Sequence, residues 1–153
     1  MQLIEILENG LSAEPVGDLC DTANGVLRST RELYGRVGFE RPWVGYLACA
    51  NDASDSARCV GTCAFTSPPK SGRVEIAYFT FPDFEGRGLA TKMASKLLEI
   101  VRTHDPTLTV TAQTLPVKNA SNSILQKLGF EFAGEVEHPE DGTVWEWKHC
   151  GSK

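Results

Sequence analysis

At 153 residues with 41% apolar content, the chain suits one domain that buries roughly 68–70% of its unfolded surface, so neither a disulfide nor a structural metal is required. A formal charge of −5 without a basic run argues against nucleic-acid binding and mildly favours cationic partners such as amines. The N-terminus MQLIEILENG has no basic region followed by a long apolar core, and no apolar run is long enough to cross a bilayer, so a soluble cytoplasmic protein without a membrane partner is expected.

Residues 3–7 read as a short first strand with Asn9-Gly10 as a turn. Ser12 is placed to cap a helix with Pro15 in its first turn, and residues 13–34 carry Val16, Leu19, Cys20, Ala23, Val26, Leu27 and Leu33 at mostly helical spacing. Asn24-Gly25 interrupts that pattern, which predicts two short helices or one bent one. Residues 42–50 and 58–66 are strand-like around a polar hairpin loop at 51–57, and Pro68, Pro69 and Gly72 turn the chain into a third strand at 74–81. Three strands with short connections predict an antiparallel meander.

A helix over 88–103 stops at Asp105-Pro106, and a strand follows at 108–114. Strand, helix, strand predicts a parallel pair by a right-handed crossover. Residues 119–128 read as a helix ended by Gly129, and 130–136 with 143–147 close the chain as a hairpin around Pro139 to Gly142. The expectation is one mixed α/β domain over 1–153, α+β in type, with a largely antiparallel central sheet, flanking helices and one parallel β-α-β crossover.

The five cysteines, Cys20, Cys49, Cys59, Cys63 and Cys150, contain no Cys-x-x-Cys pair and leave one over if the rest pair, so they read as reduced thiols. Cys59 and Cys63 fall on one face of a strand, but two thiols without nearby histidines make a poor zinc site. They read as small buried hydrophobes, and no metal is expected.

The chain is organised around RVEIAYFTFPDFEGRGLATKMASKLL, residues 73–98. A β-branched and aromatic run is followed by Gly86-Arg87-Gly88, which opens onto a helical stripe of Leu89, Met93, Leu97 and Ile100. Backbone N–H groups from Gly86 to Ala90 could grip a diphosphate, with Arg87 as a cation and the helix dipole adding roughly 0.3–1 kcal/mol per charge. A lone Gly-x-Gly is a weak motif and is more often just a turn.

The tail of that motif, G-R-G-L-A, is joined by a second segment, TLPVKNASNSILQKLGF from Thr114 to Phe130. With both, the chain resembles the GNAT N-acetyltransferase family from about Val60 through Trp147, and within it the branch that acetylates protein N-termini and small amines, including the ribosomal-protein alanine acetyltransferases. The resemblance implies the acyl-CoA N-acyltransferase fold, in which the strand before the glycine turn splays from the next one and the pantetheine arm of acetyl-CoA enters between them. It places the pyrophosphate loop on Glu85, Gly86, Arg87, Gly88, Leu89 and Ala90, with Thr91 beyond it, and further cofactor contacts on Phe79, Thr80 and Phe81. Glu85 stands where Gln or Arg is usual and is expected to face solvent. Asn119 resembles the family's asparagine near the cofactor, with a helix cap as its other reading, and Ser121 and Asn122 are nearby polar candidates.

For the chemistry, an acid inside the apolar VEIAYFTF strand makes Glu75 the candidate base for an amine, against the alternative of an exposed carboxylate or a pair with Arg73. The resemblance puts Leu125 where many members carry a tyrosine acid, so Tyr78 is the substitute candidate for protonating the thiolate, or else a wall residue. A strand N–H near Phe79 or Thr80 would polarise the thioester carbonyl. His104, His138 and His149 have no Ser or Cys constellation to recruit them. Trp43, Trp145 and Trp147 read as core or rim, with Trp43 a possible wall of an acceptor pocket.

These features imply an acetyl-CoA-dependent N-acetyltransferase that moves an acetyl group to a primary amine by direct transfer in a ternary complex. The amine is a protein or peptide N-terminus or a small molecule. The alternatives are a catalytically weak acyl-CoA-binding regulatory or interaction module, and a nucleotide-phosphate binder using the same turn. The protein is expected as a monomer or homodimer, with the closing hairpin available as a dimer edge.

Overall fold

A computed structural model describes residues 1–14, 16, 19–50, 58–117 and 119–150. The expected loop at 51–57, Pro15 and Lys118 lie outside the described residues. In chain order the elements are β1 (Gln2–Glu5), α1 (Asp21–Val37), β2 (Gly45–Ala50), β3 (Arg58–Phe65), β4 (Arg73–Thr80), a 3-10 turn (Pro82–Phe84), α2 (Leu89–His104), β5 (Thr109–Thr114), α3 (Ala120–Lys127), β6 (Glu131–His138) and β7 (Gly142–Cys150). The seven strands form one sheet in the order β1-β2-β3-β4-β5-β7-β6. The expected meander is present as β2-β3-β4, the crossover makes β4 and β5 parallel, and β6 and β7 form the closing hairpin.

The expected first strand and the Asn9-Gly10 turn are present, and the structure departs from the sequence reading in where the first helix starts. Ser12 does not cap a helix. It bridges Ile6, and its hydroxyl donates to Glu14 O at 2.8 Å. The Asn9-Gly10 turn folds the chain back on β1 through Leu7 N to Leu11 O (2.7 Å) and Ala13 N to Glu5 O (2.8 Å), which uses up Ser12. Helix α1 begins only at Asp21, where the Cys20 thiol accepts from Ala23 N at 3.4 Å. It runs unbroken through Asn24-Gly25, because Ala23 and Tyr34 are buried on one face and outweigh the roughly 1 kcal/mol that glycine costs in a helix. Tyr34 pins α1 to the sheet: its hydroxyl donates to Ile6 O at 2.8 Å and accepts from Gly45 N at 2.9 Å.

Helix α2 packs on the other face. Met93, Ala94 and Leu97 are fully buried, with Cys63, Phe65, Val74, Ile76, Val110 and Ala112 among the core they join. Burial of each large apolar side chain contributes about 1.5–3 kcal/mol. Gly61 sets the closeness of this packing, since a Cβ there would lie 2.5 Å from Phe79 O and 3.1 Å from Met93 Cε. Because Gly61 pairs with Thr80 and Cys63 with Tyr78, the even-numbered residues of β4 face α2 and the odd-numbered ones, Glu75 among them, face away.

Cys59 and Cys63 do not share a face. A register shift sets Ala48 against Gly61 but Cys49 against Cys59, so β3 carries an extra residue at this point. Such a bulge turns the residues before it to the opposite side of the strand, and Cys59 comes to lie against Cys49, on the face away from α2.

Candidate functional site

Strands β4 and β5 pair only from Arg73↔Thr109 to Ile76↔Ala112, yet β4 continues to Thr80 and β5 to Thr114. Beyond Ile76 the two strands diverge. On its other side β4 stays paired: Thr66 N donates to Glu75 O at 3.0 Å and Phe81 N to Val60 O at 2.9 Å. Antiparallel pairing alternates, so Glu75, Ala77 and Phe79 direct their backbone groups to β3, while those of Tyr78 and Thr80 point toward the gap.

A cleft of about 570 Å³ occupies that gap. Tyr78, Phe79 and Thr80 form one wall, the start of α2 with Glu85, Gly86, Gly88, Leu89, Ala90 and Thr91 forms the mouth, and Ala120, Ser121 and Ile124 of α3 form the opposite wall. Gly86 and Gly88 have φ of 79° and 73°, a left-handed backbone that glycine takes without strain. Gly88 is the N-cap of α2 and no side chain caps that helix. The first-turn N–H groups have no acceptor within the helix and open on the cleft with the positive end of the dipole.

Tyr78 brings a buried phenol to the wall. Its hydroxyl is buried without a hydrogen-bond partner among the described residues. Burial raises its phenol above the ordinary value and Ser121 pulls the other way. Ser121 is thus near enough to influence the hydroxyl but outside normal bonding geometry, and a buried hydroxyl left in this way is a site looking for a partner.

Not every candidate residue reaches the cleft. Phe81 is buried at 3% exposure. Arg87 is exposed, with its guanidinium 5.6 Å over the Phe84 ring. Asn119 caps α3, its Oδ1 accepting from Asn122 N at 3.2 Å, and Asn122 is buried with Nδ2 donating to Val117 O at 2.7 Å. Leu125 is fully buried in the core. Glu85 is exposed, as expected, and also rims the cleft.

Glu75 lies on the reverse face of β4, opposite Thr111. Burial pushes its carboxyl above the ordinary value, His138 opposes the shift and Glu146 adds to it. His138 was given no role by the sequence, since it lies more than sixty positions from Glu75 and its histidine carries no motif. Its Nδ1 accepts from Glu140 N (3.1 Å) and Asp141 N (3.2 Å) in the β6–β7 turn, with the Asp141 carboxylate 3.4 Å away. Ala120 and Ile124 were likewise missed as cleft residues, for they look like ordinary residues of an amphipathic helix.

The acetyltransferase (GNAT) domain family matches residues 21–131, well over half of the chain. The chain belongs to the GNAT family of N-acetyltransferases. The match begins earlier than the motifs alone suggested, taking in all of α1, and ends at the start of β6. No curated protein matches the sequence. Among solved structures, the GNAT chain is similar to a microcin C7 self-immunity acetyltransferase in complex with acetyl-CoA and AMP (12% identity, 87% of this chain and 72% of that one covered, TM-score 0.63). A ribosomal L7/L12 α-N-protein acetyltransferase in complex with coenzyme A gives 14% identity, 85% and 72% coverage and a TM-score of 0.61. A spermidine N-acetyltransferase chimera from Vibrio cholerae and hSSAT gives 14% identity, 80% and 78% coverage and a TM-score of 0.61. At these identities the likeness is one of fold. No helix among the described residues is long and apolar enough to cross a membrane, and none of them form a group of three or more His, Cys, Asp or Glu able to hold a metal.

Proposed function

We propose that this GNAT chain transfers the acetyl group of acetyl-CoA directly to a primary amine, a peptide N-terminus or a small-molecule amine, in a ternary complex. The observation that carries the reading is the β4–β5 gap ending at the uncapped start of α2. The amides of Gly86 to Thr91 hold the diphosphate, the pantetheine arm lies along β4, and the backbone N–H groups of Tyr78 and Thr80 replace the missing strand partner. One of these N–H groups polarises the thioester carbonyl as charge develops on its oxygen.

The amine approaches from the reverse face, where Glu75 takes its proton, with the His138 side chain contributing to the field at the carboxylate. The amine nitrogen bonds to the carbonyl carbon, the C–S bond breaks, and the Tyr78 hydroxyl supplies the proton to the departing thiolate. A raised carboxyl suits a base for an ammonium acceptor better than an ordinary one does.

Glu75→Gln tests this. The expected outcome is a fall in kcat of about 10²–10⁴ with the Kd for acetyl-CoA unchanged, since Glu75 lies outside the cleft. The acid limb of the kcat/KM profile should lie above the ordinary carboxylate range and vanish in the variant. A carboxyl raised by folding stabilises the protein most at low pH and progressively less as pH rises through its folded value. At neutral pH the glutamine variant should therefore melt no lower than the parent. Full turnover in Glu75→Gln on an amine that the parent acetylates would remove the residue from the mechanism.

A further inference from the structure

Outside the acetyl-transfer site, Cys49 and Cys59 are opposed residues on the adjacent antiparallel strands β2 and β3, and their Sγ atoms are 3.3 Å apart. The bulge in β3 brings them together, because without it Cys59 would face α2 beside Cys63. Small buried hydrophobes account for Cys63, which is buried and meets no other thiol among the described residues. They do not account for a pair in sulfur contact. Opposed residues of an antiparallel pair bring their Cβ atoms to about 4.5–5.5 Å, near the spacing of a disulfide.

We infer that Cys49 and Cys59 form a redox-active dithiol, a modification site at which a hydroperoxide closes a cross-strand disulfide. Cys59 is half-buried and Cys49 fully buried behind it, so oxidant arrives at Cys59. The Cys59 thiolate attacks the terminal peroxide oxygen, the O–O bond breaks, and the sulfenic acid forms as the departing oxygen takes up a proton, leaving as water from hydrogen peroxide or as an alcohol from an organic hydroperoxide. The Cys49 thiolate then attacks the Cys59 sulfur, the S–S bond forms, and hydroxide leaves as water. Two thiols are oxidised by two electrons and one hydroperoxide is reduced.

The shared hydrogen bond couples the two thiols: it holds the thiol of Cys49 below the ordinary value and, with burial, that of Cys59 above it. At 3.3 Å a proton can pass from Cys59 to Cys49, and that transfer leaves the attacking charge on the more accessible sulfur.

The test treats the reduced full-length protein with hydrogen peroxide and maps cysteine peptides without reduction. The expected product is a Cys49–Cys59 cross-linked peptide, with the intact mass lower by two hydrogens and restored by dithiothreitol. Cys59→Ala, which touches no residue of the acetyl-transfer machinery, should abolish the cross-link. Cys59→Ser serves the same purpose if alanine disturbs the bulge. Peroxide that leaves both thiols reduced, or that carries Cys59 to sulfinic acid without a cross-link to Cys49, would overturn the inference.

Discussion

Two helices begin at the cleft, and they begin differently. At α3 the side chain of Asn119 turns back and accepts from Asn122 N, so the helix satisfies part of its own N-terminal charge. At α2 the cap is Gly88, left-handed and without a side chain to contribute. Both termini carry a dipole and unpaired amides, but at α2 no side chain occupies them. A helix start is open to an anion when the residue that would cap it is withheld, and at α2 glycine does the withholding.

The most severe way to break that contrast is to give α2 a carboxylate of its own. Gly88→Asp places a side chain at φ 73°, where a residue other than glycine costs about 1–2 kcal/mol, and sets its negative charge among the amides that should receive the diphosphate. The Kd for CoA, measured by calorimetry, should rise at least about tenfold. An unchanged Kd would mean that the diphosphate does not lie at this helix start.

The converse change is milder. Asn119→Ala removes the α3 cap and should lower stability by about 1 kcal/mol, read from denaturant unfolding, with the Kd for CoA almost unaltered because Asn119 does not line the cleft. A loss of CoA affinity without a loss of stability would reverse the two roles and make Asn119 a ligand of the cofactor.

How much of this could be read in the sequence depends on the kind of interaction. The β4-turn-α2 unit was legible because its signals are local: a β-branched run, two glycines, then a stripe of helical period. The crossover to β5 followed from element order alone. The start of α1 was not legible, since Ser12 is a better cap by residue type than Cys20 and only the fold-back onto β1 decides between them. The bulge at Cys59 leaves no sequence mark because it is a matter of register between strands, and with it the thiol pair stayed hidden. Tyr78 was visible as a wall residue, but its unpartnered hydroxyl depends on where β4 and β5 part. His138 was set aside because its tie to Glu75 comes only from folding the last hairpin.

Glu85 offers the finest test of the same contrast. Its carboxylate rims the cleft in front of amides that no cap occupies, so it partly opposes the field that the helix start provides for phosphate. The residue is exposed, and water and salt weaken that opposition, which is why the fold can keep an acid there. Glu85→Gln removes the charge and keeps the shape. CoA binding should tighten by about two- to fivefold at low ionic strength, and the gain should shrink as salt rises past about 0.1 M, where the screening length falls to roughly 10 Å. A gain that persists at high salt would place the carboxylate in direct contact with the ligand, and weaker binding would mean that Glu85 itself receives a hydrogen bond from the bound molecule.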